Sequence, residues 1–397
     1  MSSGNIFTPF REEELMPVEE KLEVKKKEAK FTIGVPRETS LNERRTTLTP
    51  DAVQVLVNHG HEIIIESDSG KGSFFTDAQY AEAGARITHN AAEAFGQDLV
   101  LKINPPGEDE IDMLKPNAHL ISALQINLRS PEYFRKLAEK KINAIAFEFI
   151  SDEYKQLPLV RLIGEIAGTA SILYSSELLA LSNGNMLGGI TGVRPTEVVV
   201  IGAGIVGEFA VKAALGLGAS VKVFDNSLSK LRRLHMMIDG RVPTSIIDPK
   251  ELSKSVRRAD VVIGALPRTC MQPVVTEEMV LQMKKGSVII DVTVDYGKVV
   301  ETTEITTLAD PYLIKHGVIH CGLPNLTSRI PRTTSKAISN FFLSYLLSYD
   351  KEGGIENMFI HKNEMKQSLY MYRGRHTKKV ICDLFGLPYH DINLLMF

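Results

Sequence analysis

The sequence predicts an α/β protein with two α/β units and mostly parallel sheets. Three observations indicate this class. Short apolar strands alternate with amphipathic helices along most of the chain, a pattern typical of βαβ units. A glycine-rich turn follows a β-branched strand near the middle of the chain. The length of 397 residues corresponds to two or three domains.

The first unit begins at residue 31 and contains five predicted strands. They are FTIGVP, HEIIIES, DLVLKINPP, HLISALQI and INAIAFEFI. Three helices between them are predicted from their starts, at Thr49 and Pro50, at Thr76, and at Ser130. A capping hydroxyl side chain, or a proline in the first turn, suits the beginning of a helix. Helices between successive strands predict a mostly parallel sheet.

A long helix is predicted over residues 159–181, with small residues at Gly164, Ala167, Gly168 and Ala170. Small side chains at this spacing permit another backbone to approach closely. The pattern suits a helix that links two domains or runs past a bound cofactor. A second unit begins at residue 197 with EVVVIGAG, and the stretch ISNFFLSYLLSYDKE predicts a helix that returns the chain to the first unit.

Charge and hydropathy exclude several functional classes. The formal net charge is −2, which argues against a nucleic-acid-binding protein because such proteins usually carry a strong basic excess. No apolar run approaches the roughly 20 residues that span a bilayer. The first residues lack a basic segment followed by an apolar core, so no signal peptide is visible. We expect a cytoplasmic protein without nucleic-acid or membrane partners.

The cysteines and the first 30 residues give two further expectations. Cys270, Cys321 and Cys382 are widely spaced and odd in number, which predicts free buried thiols rather than a disulfide framework or a zinc site. No metal site is predicted. Residues 1–30 are polar and charged, so we expect a solvated N-terminal extension. An arm that packs on a neighbouring subunit is the alternative.

The stretch VVVIGAGIVGEFAVKAA predicts a dinucleotide site on a Rossmann unit. Gly202, Gly204 and Gly207 have the spacing in which the first glycine permits a tight turn, the second lets the backbone approach a pyrophosphate, and the third lets helix pack on strand. The N–H groups of the following helix would bind the phosphates. The motif alone is weak evidence, but a strand precedes it and a helix follows it.

The next strand, SVKVFD, ends at Asp225, near the offset of about 20 residues at which a carboxylate binds the adenosine ribose. A carboxylate there accepts hydrogen bonds from the 2′-hydroxyl and repels a 2′-phosphate. The neighbouring residues are not basic, so NAD rather than NADP is the predicted cofactor. The predicted cofactor-binding residues are Gly202, Ala203, Gly204, Ile205, Val206, Gly207, Asp225, Asn226, Ala265, Leu266 and Asp295.

Several segments together resemble the family of alanine dehydrogenases and the alpha subunit of proton-translocating transhydrogenase. They are IGVPRET, NERRTTLTPDAV, GHEIIIESDSGKGSFFTDAQYAEAGARI, VVTEEMVLQMKKGSVIIDVTVD and HCGLPNLTSRIPRTTSKAISN. The resemblance covers roughly residues 31–350. The alanine dehydrogenase branch fits better, because the loop that transhydrogenases carry after the first domain is absent and the path from Asp225 to ADVVIGA is short.

This resemblance implies two Rossmann-like, doubly wound domains with a substrate cleft between them. Residues 31–157 and 337–397 would form the substrate domain, and residues 158–336 the NAD-binding domain. It also implies a homo-oligomer, a hexamer or a dimer, and a small amino-acid or 2-oxo-acid substrate.

The family's substrate-binding residues match two positions of this sequence. The substrate-clamping arginine matches Arg45 in NERRTTLTP, and a surface ion pair is the alternative role for Arg45. The cleft asparagine matches Asn325, which could instead stabilise a turn. The family's aspartate near the nicotinamide matches Asp295, an acid–base candidate if burial raises its pKa. A capping or ribose-binding role is the alternative for Asp295.

Two catalytic positions depart from the family pattern. The catalytic lysine is replaced by Asn104, and the catalytic histidine by Gln125, which can form hydrogen bonds but cannot titrate. Lys102 lies on the same strand face as Asn104, about 6–7 Å away, and could supply a charge there. A structural role for Lys102 is the alternative. The predicted catalytic set is Asp295, Lys102, Gln125 and Asn104.

Three functions remain open at this point. The first is NAD-dependent oxidative deamination of L-alanine or a related amino acid. The second is a transhydrogenase-like NAD(H) hydride carrier, which would need no amino-acid acid–base pair. The third is a non-catalytic NAD-binding protein of the same fold.

Overall fold

The computed structural model describes residues 30–266, 272–352 and 354–396. The predicted extension over residues 1–30 and the thiol of Cys270 therefore lie outside the described part, apart from Lys30. Cys321 and Cys382 are buried free thiols, as predicted. Within the described residues, no helix combines the length and apolarity needed to cross a membrane.

Strands and helices alternate through the first part of the chain. The strands are β1 (Thr32–Val35), β2 (Glu62–Glu66), β3 (Arg86–Thr88), β4 (Leu99–Leu101), β5 (His119–Ser122) and β6 (Asn143–Ala146). The helices are α1 (Pro50–Asn58), α2 (Asp77–Glu82), α3 (Ala91–Phe95), α4 (Glu108–Met113), α5 (Pro131–Glu139) and α6 (Pro158–Asn183). Short 3-10 helices cover Lys71–Ser73, Ile126–Leu128 and Phe147–Phe149.

The second part of the chain repeats this alternation. Its strands are β7 (Glu197–Ile201), β8 (Ser220–Phe224), β9 (Thr244–Ser245), β10 (Val261–Gly264), β11 (Val288–Asp291), β12 (Leu313–Lys315) and β13 (Val318–Cys321). Its helices are α7 (Ile205–Gly216), α8 (Leu228–Met237), α9 (Pro249–Arg258), α10 (Glu277–Leu281) and α11 (Pro331–Glu352). Further 3-10 helices cover Val294–Tyr296 and Leu326–Arg329.

The last segment completes the first sheet. It contains α12 (Ile355–His361), α13 (Asn363–Lys366), β14 (Leu369–Tyr372), β15 (Arg375–His376), α14 (Lys379–Phe385) and α15 (Ile392–Leu395). Strand β14 pairs antiparallel with β6, and β15 pairs antiparallel with β14. No sequence pattern predicted these two strands.

Two mostly parallel sheets result, which confirms the predicted fold class. The order in the eight-stranded sheet is β15-β14-β6-β5-β4-β1-β2-β3, and in the seven-stranded sheet it is β12-β13-β11-β10-β7-β8-β9. Apolar clusters cover both faces of each sheet. Both sheets are therefore doubly wound, with helices packed on their two faces.

Helix α6 connects the two cores. Leu159 at its start packs in a core of the first sheet, and Leu178 near its end packs in a core of the second. Gly168 in the middle lies against α7, where an added Cβ would be 2.2 Å from the carbonyl oxygen of Val206. The small residues predicted to permit close approach thus bring α6 against the helix that follows the glycine turn. The proposed domain limit at residue 158 coincides with the start of α6, and the limit at residue 337 falls inside α11.

Candidate active site

A cleft of about 570 Å³ lies where loops from the two sheets meet. Its lining comes from segments that follow the carboxyl ends of strands in both sheets: residues 39–43 after β1, 102–107 after β4, 125–129 after β5, Asp295 after β11, and residues 324–325 after β13. In doubly wound sheets, ligands bind outside the carboxyl ends of the parallel strands. The position of this cleft is therefore the one expected for a substrate.

The glycine turn between β7 and α7 has the backbone geometry that its predicted role requires. Gly202 has a φ of +116°, and an added Cβ would lie 2.2 Å from the carbonyl oxygen of Ala265. At Gly207, an added Cβ would lie 1.8 Å from the carbonyl oxygen of Gly202, so a side chain there would push the helix off the strand. Gly204 has no protein atom within 4 Å of an added Cβ, which leaves room for a phosphate.

Asp225 lies beside this turn, immediately after β8, and is 3% exposed. Its Oδ2 accepts a hydrogen bond from the Ala203 N–H at 2.7 Å, and its Oδ1 accepts one from the Ser227 N–H at 2.7 Å. The carboxylate therefore fixes the turn, and its ribose-binding role stays a prediction. Asn226 beside it is exposed, and Ala265 and Leu266, at the end of β10, are buried on the other side of the turn.

We expect Asp225→Ala to lower the affinity for NADH by about 10- to 100-fold, the range for losing hydrogen bonds to a charged group. Discrimination against NADPH should shrink, because the negative charge that repels a 2′-phosphate is gone. Fluorescence titration with NADH and NADPH measures both effects. Asp383→Ala, at an exposed position on α14, is the matched control. Equal binding of NADPH and NADH by the wild type would contradict the assignment of Asp225.

The two positions that depart from the family pattern touch each other. The Gln125 Nε2 donates a hydrogen bond to Asn104 Oδ1 over 3.1 Å, and both residues line the cleft. Gln125 follows β5 in a left-handed conformation with a φ of +48°, and Asn104 follows β4, its neighbour in the sheet. Together they form an amide pair that can orient a ligand but cannot take up or release a proton.

Lys102 lines the cleft, but its ammonium group is already paired. The Nζ lies 3.0 and 3.1 Å from the two carboxylate oxygens of Glu110 and 3.8 Å from Glu38, and the side chain is 1% exposed. It also lies 5.4 Å from the centre of the Phe95 ring. These contacts favour the structural alternative for Lys102. Its predicted catalytic role stays a prediction.

Arg45 lies behind the cleft and not in its lining. Its Nε and Nη2 donate to the two carboxylate oxygens of Glu43, at 2.7 and 2.6 Å, and its Nη1 donates to Thr327 Oγ1 at 3.1 Å. Arg45 is 6% exposed, so this fork is both buried and occupied. A substrate carboxylate would have to displace Glu43 to reach it. The clamp role of Arg45 therefore stays a prediction that the geometry does not favour.

Glu43 is a cleft residue that the sequence interpretation missed. Besides Arg45, it accepts hydrogen bonds from Asn325 Nδ2 at 2.7 Å and from Ser328 Oγ at 2.9 Å. Burial alone would raise the pKa of Glu43, but the charge and hydrogen bonds of Arg45, together with the Ser328 hydrogen bond, hold the pKa below its ordinary value. Asn325 lines the cleft in a left-handed conformation, with a φ of +61°, and holds Glu43 across the boundary between the two sheets. A polar residue following β1 was the only signal for Glu43.

Glu38 is a second residue that the sequence interpretation missed. Its Oε1 accepts a hydrogen bond from the Ile103 N–H at 2.6 Å, directly behind the cleft residue Asn104. Burial raises the pKa of Glu38 to about 7, although the nearby Lys102 lowers it and the charge of Glu43 raises it. Glu38 thus supports the strand end on which Asn104 lies.

Asp295 enters the cleft from the seven-stranded sheet, on the 3-10 helix Val294–Tyr296. The other two carboxylates of the lining, Glu43 and Glu110, are committed to Arg45 and Lys102. Asp295 forms no ion pair with any of the described residues. Solvent reaches its side chain, yet the surrounding cleft walls desolvate it and raise its pKa above the ordinary value. Asp295 is the cleft acid that is left able to exchange a proton.

Two doubly wound sheets, a glycine turn between a strand and a helix, and a cleft at the carboxyl ends of the strands are typical of dinucleotide-dependent oxidoreductases. The family model described as alanine dehydrogenase/PNT, N-terminal domain, matches residues 34–167, and the corresponding C-terminal domain matches residues 170–379. The chain belongs to this alanine dehydrogenase/PNT family and is an alanine dehydrogenase-like enzyme.

Individual relatives agree with this assignment. Alanine dehydrogenase 2 of Staphylococcus aureus (strain USA300) is 37% identical over 366 residues, which cover 91% of this chain and 98% of the relative. A solved L-alanine dehydrogenase superposes with a TM-score of 0.82 at 32% identity, over 89% of this chain and 99% of that one. A transhydrogenase from Sinorhizobium meliloti, at a TM-score of 0.74 and 22% identity, covers 88% of this chain and 99% of that one and shows the shared fold.

Proposed function

We propose that this chain catalyses the NAD-dependent oxidative deamination of a small L-amino acid, with L-alanine as the first candidate, to a 2-oxo acid and ammonia. The observation that carries the proposal is the position of Asp295, a cleft carboxyl group without an ion-pair partner among the described residues. It enters from the domain that holds the glycine turn. We infer that it would lie beside the nicotinamide of the bound cofactor, where an acid–base group is needed.

The residues present fit the cofactor. The turn from Gly202 to Gly207 would bind the pyrophosphate, since Gly204 leaves open space there and the N-terminus of α7 offers N–H groups. Asp225 would bind the adenosine ribose through its carboxylate, next to Asn226, with Ala265 and Leu266 on the opposite side. Bound NAD would accept the hydride that leaves the α-carbon of the substrate.

Deamination then needs a base, because water must lose a proton as it attacks the imine formed from the amino acid. Asp295 in its ionised form would take that proton. The amide pair of Asn104 and Gln125 would orient the substrate by hydrogen bonds without exchanging protons. Among the described residues of the cleft lining, Asp295 is the carboxyl group without an ion-pair partner, so it is the group we assign to proton exchange.

A screen of L-amino acids with NAD, followed by NADH absorbance, tests the proposal, with pyruvate plus ammonia tested in the reverse direction. We expect turnover with L-alanine or another small amino acid. Tight NADH binding without turnover of any amino acid would overturn the proposal and favour a non-catalytic NAD-binding protein.

One observation favours a second candidate, a hydride carrier of the transhydrogenase type. The Asn104–Gln125 pair replaces both family groups that would handle amino-acid protons, and a carrier needs neither. The same preparation distinguishes the two, since a carrier would bind NADH, leave every amino acid unchanged, and pass hydride to an oxidised nicotinamide analogue only when a partner that holds this second dinucleotide is added.

A further inference from the structure

Among the described residues that line the cleft, the charged side chains fall into pairs, with two exceptions. Lys102 is paired with Glu110, and Glu43 is paired with Arg45 behind the lining. Within that set, Asp295 is the acidic residue without an ion pair, and Arg129 is the positively charged residue without one. No ion pair or hydrogen bond connects the Arg129 side chain to any residue of the part that the structure describes. A cleft cation left without a partner is available to an anionic ligand.

The environment of Arg129 is that of a preformed binding group. Its Nε is buried and has no hydrogen-bond partner among the described residues. The guanidinium carbon lies 5.2 Å from the centre of the Tyr133 ring, which supports the positive charge on one face. A buried donor without an acceptor is unfavourable by itself. Because the Nε is closed off from the cleft, a ligand carboxylate would bind the two Nη groups of this half-buried side chain, which lines the cleft.

The backbone holds Arg129 in this position from both sides. Its N–H donates to the carbonyl oxygen of Ile126 over 3.3 Å, which closes the 3-10 helix Ile126–Leu128. The next residue, Ser130, caps α5 by accepting a hydrogen bond from the Tyr133 N–H at 3.3 Å. Arg129 is therefore presented by a short loop between two helical turns, the same loop that begins at Gln125.

We propose that Arg129 holds the carboxylate of the substrate in this chain, a role for which Arg45 is hindered by Glu43. The inference rests on the proposed function, because it assumes that the substrate is a small 2-amino or 2-oxo carboxylate. The planar guanidinium binds a carboxylate through two parallel N–H···O bonds, and a lysine ammonium cannot reproduce that geometry. Arg129 and Asp295 line the same cleft. The carboxylate of such a substrate would bind Arg129, and its reacting end would exchange protons with Asp295.

Titration of the NADH-loaded protein with pyruvate, without ammonia, tests the inference by calorimetry. We expect Arg129→Met to weaken pyruvate binding by about 10- to 100-fold, since charge-assisted hydrogen bonds are lost, and Arg129→Lys to weaken it less. Arg135→Met, at an exposed arginine on α5, should bind pyruvate as the wild type does. The affinity for NADH should be the same in all four proteins.

The outcomes separate the inference from the proposed function. Unchanged pyruvate affinity in Arg129→Met, or no pyruvate binding by the wild type, would overturn the assignment of Arg129. If amino-acid turnover is present but its KM is unaffected by Arg129→Met, the function stands and the inference fails. If no amino acid is turned over yet pyruvate binding depends on Arg129, the inference stands and the proposed deamination fails.

Discussion

Replacement of Asp295 by asparagine should lower amino-acid turnover by about 10²- to 10⁴-fold, the range for removing a general acid–base group. Asparagine keeps the size and the hydrogen-bonding ability of the side chain but cannot accept a proton. The affinity for NADH should stay near the wild-type value. Measuring kcat and the NADH dissociation constant on the same preparation separates a proton-transfer role from a ribose-binding role, since loss of a ribose contact would change the affinity instead.

The pH dependence gives this prediction a second readout. Desolvation raises the pKa of Asp295 above its ordinary value. Oxidative deamination requires the ionised form, so its rate should rise as the pH increases through that raised pKa. Reductive amination requires the protonated form and should fall over the same interval. Both pH dependences should disappear in Asp295→Asn. They should persist in the control Asp310→Asn, which changes an exposed loop position. Full activity in Asp295→Asn would rule out the mechanism.

Replacement of Glu43 by alanine should destabilise the fold by about 3–5 kcal/mol, as expected when one partner of a buried ion pair is removed. The Glu43 side chain is 1% exposed and that of Arg45 is 6% exposed, so the remaining guanidinium would be buried without a counter-charge. Asn325 and Ser328 would lose their acceptor as well. Urea unfolding followed by circular dichroism measures the loss of free energy.

Acid conditions provide the internal check on Glu43. Since its folded-state pKa is lowered from the ordinary value of 4.5, its contribution is fully present above pH 4.5 and is lost as the pH falls through the lowered folded-state pKa. The difference in stability between wild type and Glu43→Ala should therefore narrow below pH 4.5. Glu132→Ala, which removes an exposed ion pair with Arg135, should change stability little at any pH. Equal stability of wild type and Glu43→Ala at neutral pH would show that the buried network contributes nothing.

The features that the sequence predicted correctly are local in the chain. The fold class follows from strands and helices that alternate over short distances, and the capping side chains of Thr76 and Ser130 form the hydrogen bonds expected at helix starts. The glycine turn depends on three positions within six residues. The sequence also indicated that Asn104 and Gln125 lie near the ends of two strands. It did not indicate the hydrogen bond between them.

The features that were missed depend on contacts between distant residues. Strand β14 is four residues long and is fixed by pairing with β6, more than 200 residues earlier. The occupancy of the Arg45 fork depends on the rotamer of Glu43 and on Ser328, which lies 285 positions from Glu43. Arg129 was missed because its significance is the lack of an ion-pair partner among the described residues. Sequence patterns report periodicity and spacing, and none of these pairings has either.

The late position of β14 and β15 in the chain has a consequence for synthesis on the ribosome. The seven-stranded sheet is contiguous, since its strands all lie between residues 197 and 321. The eight-stranded sheet, which starts at residue 32, has no partner for β6 on one edge until residues 369–372 have emerged. Domains usually fold as units in the order of their synthesis. Here we expect the seven-stranded sheet to complete its strand pairing first, although it is synthesised later. Until β14 is synthesised, β6 of the eight-stranded sheet remains unpaired on one edge.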